Sequence, residues 1–127
     1  MTNEKTEFTD ALYDSGKRVV ECLDKEGFNY PVVLWINLED KGWKLLFGIP
    51  GLKLIGHNDI LNNIKKIISE NDLDLSADKL SVIDSHDIFC IKLKRNIKTG
   101  NGIMNLRLSA TKVNGMMVPE TVIYRVN

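Results

Sequence analysis

The chain has little cysteine, little histidine and no long apolar run, and each shortage removes a class of function. Its 127 residues include 2 cysteines and 2 histidines. Cys22 and Cys90 are far apart, so they form neither a close-spaced metal motif nor a disulfide framework, and both suit the habit of free cysteine as a small core residue. His57 and His86 are equally scattered, and no zinc-ligand spacing results. No stretch approaches the ~18 apolar residues of a membrane span, and the opening MTNEKTEFTD lacks an apolar signal segment. These shortages predict a reduced, cytoplasmic protein with no metal, no cofactor and no membrane partner. Nor do the glycines supply a nucleotide motif. The stretch GIPGLKLIG, Gly48 to Gly56, has neither the dinucleotide fingerprint nor the Gly-Lys-Ser/Thr ending of a phosphate loop.

Net charge is also missing, since 17 basic side chains balance 17 acidic ones and the pI is about 6.7. The placement of those charges is uneven. Residues 1 to 87 hold 10 basic and 16 acidic side chains, whereas residues 88 to 127 hold 7 basic and 1 acidic. Either the basic third is balanced internally by the acidic remainder, or it is a polyanion-binding face.

What the chain has in quantity is ordinary globular material. Apolar residues make up 43% and charged ones 27%, which places residues 1 to 127 as a single domain able to bury a core without staples. The clearest organising feature is PVVLWINLEDKGWKLLFG, from Pro31 to Gly48. Val32 to Leu38 is apolar apart from Asn37 and rich in β-branched and aromatic types, as a strand buried on both faces requires. After the turn Glu39, Asp40, Lys41, Gly42, alternation resumes with Trp43, Leu45, Phe47 and Ile49 on one side, until Pro50 and Gly51 stop the strand. The two segments read as a hairpin central to the sheet, with Trp35 and Trp43 in the core.

Residues 1 to 8 read as a frayed start. Thr9 or Asp10 then caps a helix reaching about Lys25, with Phe8, Leu12, Gly16, Val19, Val20 and Leu23 at helical spacing and Gly27 at its C-terminal cap. A second helix opens at His57, Asn58 or Asp59 and runs to about Glu70, its stripe being Ile60, Leu61, Ile64, Ile67 and Ile68. In the acidic stretch 71 to 79, Leu73 and Leu75 are the apolar anchors. Leu80 to Ile83 reads as a short strand, and Ile88 to Lys94 as a longer one in which Phe89, Ile91 and Leu93 alternate with Cys90, Lys92 and Lys94. Residues 95 to 102, RNIKTGNG, form a basic, mobile surface loop.

Asn114 and Gly115 form the two-residue turn that hairpins prefer. If Val113 faces Met116, position 111 faces 118 and 107 faces 122, so Met104, Leu106, Leu108 and Ala110 share the helix-covered face with Met117, Thr121 and Ile123. Val122 and Tyr124 then fall on the mixed, partly exposed side, and Pro119 marks a sheet edge or bulge. The expected architecture is a two-layer α+β domain: one twisted, mostly antiparallel sheet with two helices packed on one face.

Among candidate chemistries, Asp84, Ser85, His86 and Asp87 contain the parts of a nucleophilic triad. Adjacent residues of a short turn project in different directions, however, whereas triad members meet from separate elements. The stretch reads as a turn, and Cys90 paired with His57 or His86 shows no sign of an activated thiol. A polyanion site would use Lys92, Lys94, Arg95, Lys98 and Arg107, with Lys112 and Arg125 adding charge and Tyr124 as a stacking aromatic. The favoured reading is a small non-enzymatic interaction or accessory module that binds a protein partner or a second copy of itself. Its alternative is a nucleic-acid-binding module using the basic C-terminal strands and the 95–102 loop. The order of a helix, VVLWINLEDKGWKLLF, SVIDSHDIFCIKL and a closing VIYR resembles a pattern of small uncharacterised bacterial proteins. That resemblance implies no activity and no functional residues.

Overall fold

The computed structural model describes residues 7–127, so residues 1–6 of the expected frayed start lie outside the described residues. Phe8, within that start, packs its ring against Trp35 and Trp43 at centroid distances of 5.8 and 4.9 Å. Helix α1 spans Asp10–Lys25. Thr9 caps it, its hydroxyl accepting from the Leu12 N–H at 3.1 Å, and Gly27 at φ 86° ends it in the left-handed conformation. Strands β1, Val32–Leu38, and β2, Gly42–Ile49, form the expected hairpin with Val32 opposite Gly48 and Leu38 opposite Gly42.

The connection after β2 is helical almost throughout. A single turn, α2 at Leu52–Ile55, precedes α3 at His57–Glu70. Gly56, at φ 100°, occupies the cap of α3 and makes no side-chain cap bond; Asn58 and Asp59 fall inside the first turn instead. A 3-10 turn then leads into β3, Leu80–Asp84, which lies parallel to β2. The sheet is mostly antiparallel, as expected, and this is its one parallel pair among the described residues. Residues 50 to 79 are long enough to carry the chain back to the starting end of the sheet, as a parallel crossover needs.

The remaining elements are α4, Ile88–Asn96; β4, Leu106–Leu108; β5, Thr111–Val113; β6, Met116–Val118; and β7, Thr121–Val126. The main sheet has the order β3-β2-β1-β7-β4 and is mostly antiparallel, with β1 at its centre. This is an α+β fold. Asn114 and Gly115, both at positive φ, turn β5 into β6 in the expected register. Arg107 faces Val122 as the same register requires, but the ladder is interrupted around Pro119, so β5–β6 stands as a separate hairpin.

Both faces of the sheet are covered. On the first, α1 and α3 bury Val20, Leu23, Ile60 and Ile64 against Trp35, Trp43, Phe47, Val122 and Tyr124. On the second, α4 and the β5–β6 hairpin bury Cys90, Leu93, Val113 and Val118 against Leu34, Ile36, Ile123 and Val126. Two sequence expectations are thereby corrected. Residues 88 to 94 are helical, because Asp87 caps the segment through the Phe89 N–H and Cys90, Leu93 and Ile97 recur at helical spacing. The faces of β7 are also exchanged: Val122 and Tyr124 meet the two long helices, while Met104, Leu106 and Met117 are exposed. Every residue of β7 is buried, so its alternation carries no marker of which side is which.

Candidate functional site

Two positions without a side chain let helices approach the sheet closely. A Cβ on Gly16 of α1 would strike the Tyr124 hydroxyl and come within 2.7 Å of Trp35 Nε1. In that space Trp35 Nε1 donates to the Tyr124 hydroxyl at 2.9 Å, and the hydroxyl donates to the Tyr13 carbonyl at 2.5 Å. On the other face, a Cβ on Gly48 would lie 2.7 Å from Val32 Cβ and 3.3 Å from Cys90 Sγ, so Gly48 lets α4 settle onto β1 and β2.

The second face is covered only in part. Alongside α4 an apolar groove of about 200 Å³ remains, lined by Ile36, Leu38, Lys44, Leu46, Ser81, Ile83 and Phe89. Its walls follow from alternation, since Ile36 and Leu38 of β1, Lys44 and Leu46 of β2, and Ser81 and Ile83 of β3 project to one side of the sheet. Phe89 comes down from the first turn of α4, and on that same turn Ile88 is 58% exposed. Leu38, at the end of β1, is exposed as well. Lys44 lies across the groove with its Nζ donating to the Asp78 carbonyl.

The basic residues expected to form a polyanion site are dispersed. Lys92, Lys94 and Arg95 are on α4 and Lys98 follows it, so these four share one helix and its exit. Phe89 and Lys92, three residues apart, are neighbours on α4, and the Lys92 carbonyl accepts from the Asn114 side-chain amide at 3.2 Å. Arg107 is on the other side of the sheet, where its guanidinium lies 5.4 Å from the Phe8 ring centroid and 4.0 Å from Asp10. Tyr124 has no exposed ring on which a base could stack. Arg125 is 3% exposed; its two terminal nitrogens bind the Asp24 carboxylate at 3.1 and 2.7 Å, and one also donates to the Tyr30 carbonyl. That pair is internal balancing of the acidic and basic regions. Lys112 is exposed on the outer side of the small hairpin, opposite Met117. The basic 95–102 loop begins inside α4, and the Thr99 N–H ties it to the Val126 carbonyl at 2.9 Å.

The polar turn before α4 serves the backbone. The Asp84 carboxylate accepts from the His86 N–H at 2.8 Å, a bond that holds its pKa below the ordinary carboxylate value, and Asp87 caps the helix. Ser85 is buried and donates its N–H to the Ile49 carbonyl, while the exposed His86 ring contacts Asp84. Cys90 is fully buried, and burial together with the Asp87 charge pushes its thiol up to about 11, the reverse of activation. Among the described residues no group of three or more His, Cys, Asp or Glu side chains could hold a metal ion, and no helix is long and apolar enough to cross a membrane. The groove had no sequence signal of its own, because it depends on residues 88 to 96 being a helix too short to cover three strands. No protein-family model, curated protein or solved structure matches this chain.

Proposed function

We propose that this protein is a non-enzymatic interaction module whose partner, another protein, inserts an apolar side chain into the groove between α4 and strands β1 to β3. The observation that supports this reading is the groove itself: five of its seven lining residues are apolar, and one of the five, Leu38, is exposed. Apolar concavities with a few polar groups at the rim suit the anchor residue of a protein partner. Water in such a site is readily displaced.

The nucleic-acid reading is supported by one specific feature. Between residues 88 and 118 there are six cations, Lys92, Lys94, Arg95, Lys98, Arg107 and Lys112, and no carboxylate. Quantitative affinity capture from source cells separates the two. A protein retained by the wild type should be lost with Ile83→Arg, which fills the groove with a charge, and kept when Lys92 and Lys94 are both changed to Glu. The opposite pattern, with nucleic acid in the eluate and loss on the double charge reversal, replaces the protein reading with the polyanion one.

A further inference from the structure

Strand β3 is one of the two edges of the main sheet and, among the described residues, pairs on one side only, with β2. Most edges of this kind are protected by lysine, proline or a bulge. Leu80, Ser81, Val82, Ile83 and Asp84 supply none of these. Alternation fixes which backbone groups are available. The Ser85 N–H donates to the Ile49 carbonyl, so Ser81 and Ile83 turn their backbone groups to β2, and Leu80, Val82 and Asp84 turn theirs to the open edge. Two of these outward groups are used locally: the Leu80 N–H bonds to the Ala77 carbonyl, and the Asp84 carbonyl accepts from the Asp87 N–H at 2.9 Å. The Leu80 carbonyl, both Val82 groups and the Asp84 N–H are left facing outward.

We propose that a second copy of the chain occupies this edge, with β3 pairing antiparallel to β3 of the copy about a two-fold axis at Val82. In that register Val82 faces Val82 and exchanges two hydrogen bonds with it, as directly opposed residues of a hydrogen-bonded pair do. Leu80 faces Asp84 of the copy, where the Asp84 N–H meets the Leu80 carbonyl, and symmetry repeats that bond. The groups already used locally face each other, so the four outward groups of one chain find four complements in the other. Such self-complementarity is what an isologous interface demands.

The charges agree with the antiparallel sense. Lys79 and the Lys44 ammonium, held at the Asp78 carbonyl, mark the first end of the edge, while Asp84 and Asp87 mark the last; Asp78, at the first end, is bound by the Ser76 hydroxyl. Antiparallel pairing sets each cationic end beside the copy's anionic end. A two-fold axis perpendicular to the sheet also keeps its faces aligned, so Ile83 of the copy lies beside Ser81 at the mouth of the groove. This dimer is held by the backbone groups of the edge and needs no partner in the groove; because Ser81 and Ile83 also line the groove, it is tested on the purified chain alone, by mass and amide exchange and not by capture of a partner.

Light scattering and amide hydrogen exchange on the full chain test it, from dilute solution up to about 1 mM, where even weak dimers are half formed. The mass should rise from 14.4 kDa toward twice that value. Over the same range the Val82 and Asp84 amides should pass from fast exchange to protection, whereas Ile83 stays protected throughout. Ser81→Lys should hold the mass at the monomer value with Ile83 still protected, and Lys79→Glu should weaken association severalfold at low salt. A monomer at about 1 mM, a dimer whose Val82 amide exchanges freely, or a Ser81→Lys variant that dimerises like the wild type would each overturn the proposal.

Discussion

Gly16 and Gly48 set how closely each helical layer approaches the sheet, and neither needs glycine for its backbone angles. At Gly16 the space is taken by the Trp35 to Tyr124 to Tyr13 hydrogen-bond chain; at Gly48 it is taken by Val32 and the Cys90 thiol. A methyl group at either place must displace rigid neighbours. Gly16→Ala and Gly48→Ala should therefore each lower unfolding free energy by about 1–3 kcal/mol, the range for an overpacked core. Chemical denaturation read by tryptophan fluorescence checks this, and an unchanged midpoint for both variants would mean that the helices do not lie as close as described. The glycines were visible in the sequence only as members of an apolar stripe and of a strand alternation. What they accommodate is a contact between residues up to 108 positions apart, Gly16 with Tyr124, which no local pattern records.

At the scale of elements, the sequence was most legible where periodicity and a terminus signal agreed. Thr9 and Gly27 bracket α1, the Asn-Gly turn fixes the register of β5 and β6, and the Val32–Leu38 run places β1 at the sheet centre. It was least legible at residues 88 to 96. There IFCIKLK satisfies a period of two and a helical period equally well over seven residues, and the deciding features were the cap at Asp87 and the apolar Ile97 seven positions beyond Cys90. The same misreading placed Lys92 and Lys94 on a strand face, when both belong to α4. If Asp87 is what commits this segment to helix, Asp87→Ala should cost about 1 kcal/mol, the usual value of an N-cap, and should speed amide exchange in α4 before it affects α1. Uniform loss of protection across both helices would instead assign Asp87 a role in the whole fold.

For the whole molecule, the charge asymmetry of the sequence resolves into two parts. One is internal: the buried Arg125 guanidinium and the partly exposed Asp24 carboxylate join the basic C-terminal strand to the acidic first helix through two hydrogen bonds. The other is superficial, with Lys92, Lys94, Arg95 and Lys98 on the layer that incompletely covers the second sheet face. The α+β class and the two helices on the first face followed from pattern alone. The groove did not, because it is a deficit of cover, produced when a nine-residue helix and a small hairpin lie over a five-stranded sheet. The most direct test of that surface as a protein-binding site is site-specific photocrosslinking in living source cells, with a benzophenone amino acid at position 89 and, as control, at Glu21 on the opposite layer. We expect one defined protein adduct from position 89 and none from position 21. Absence of an adduct at position 89, or the same adducts from both positions, would contradict the account.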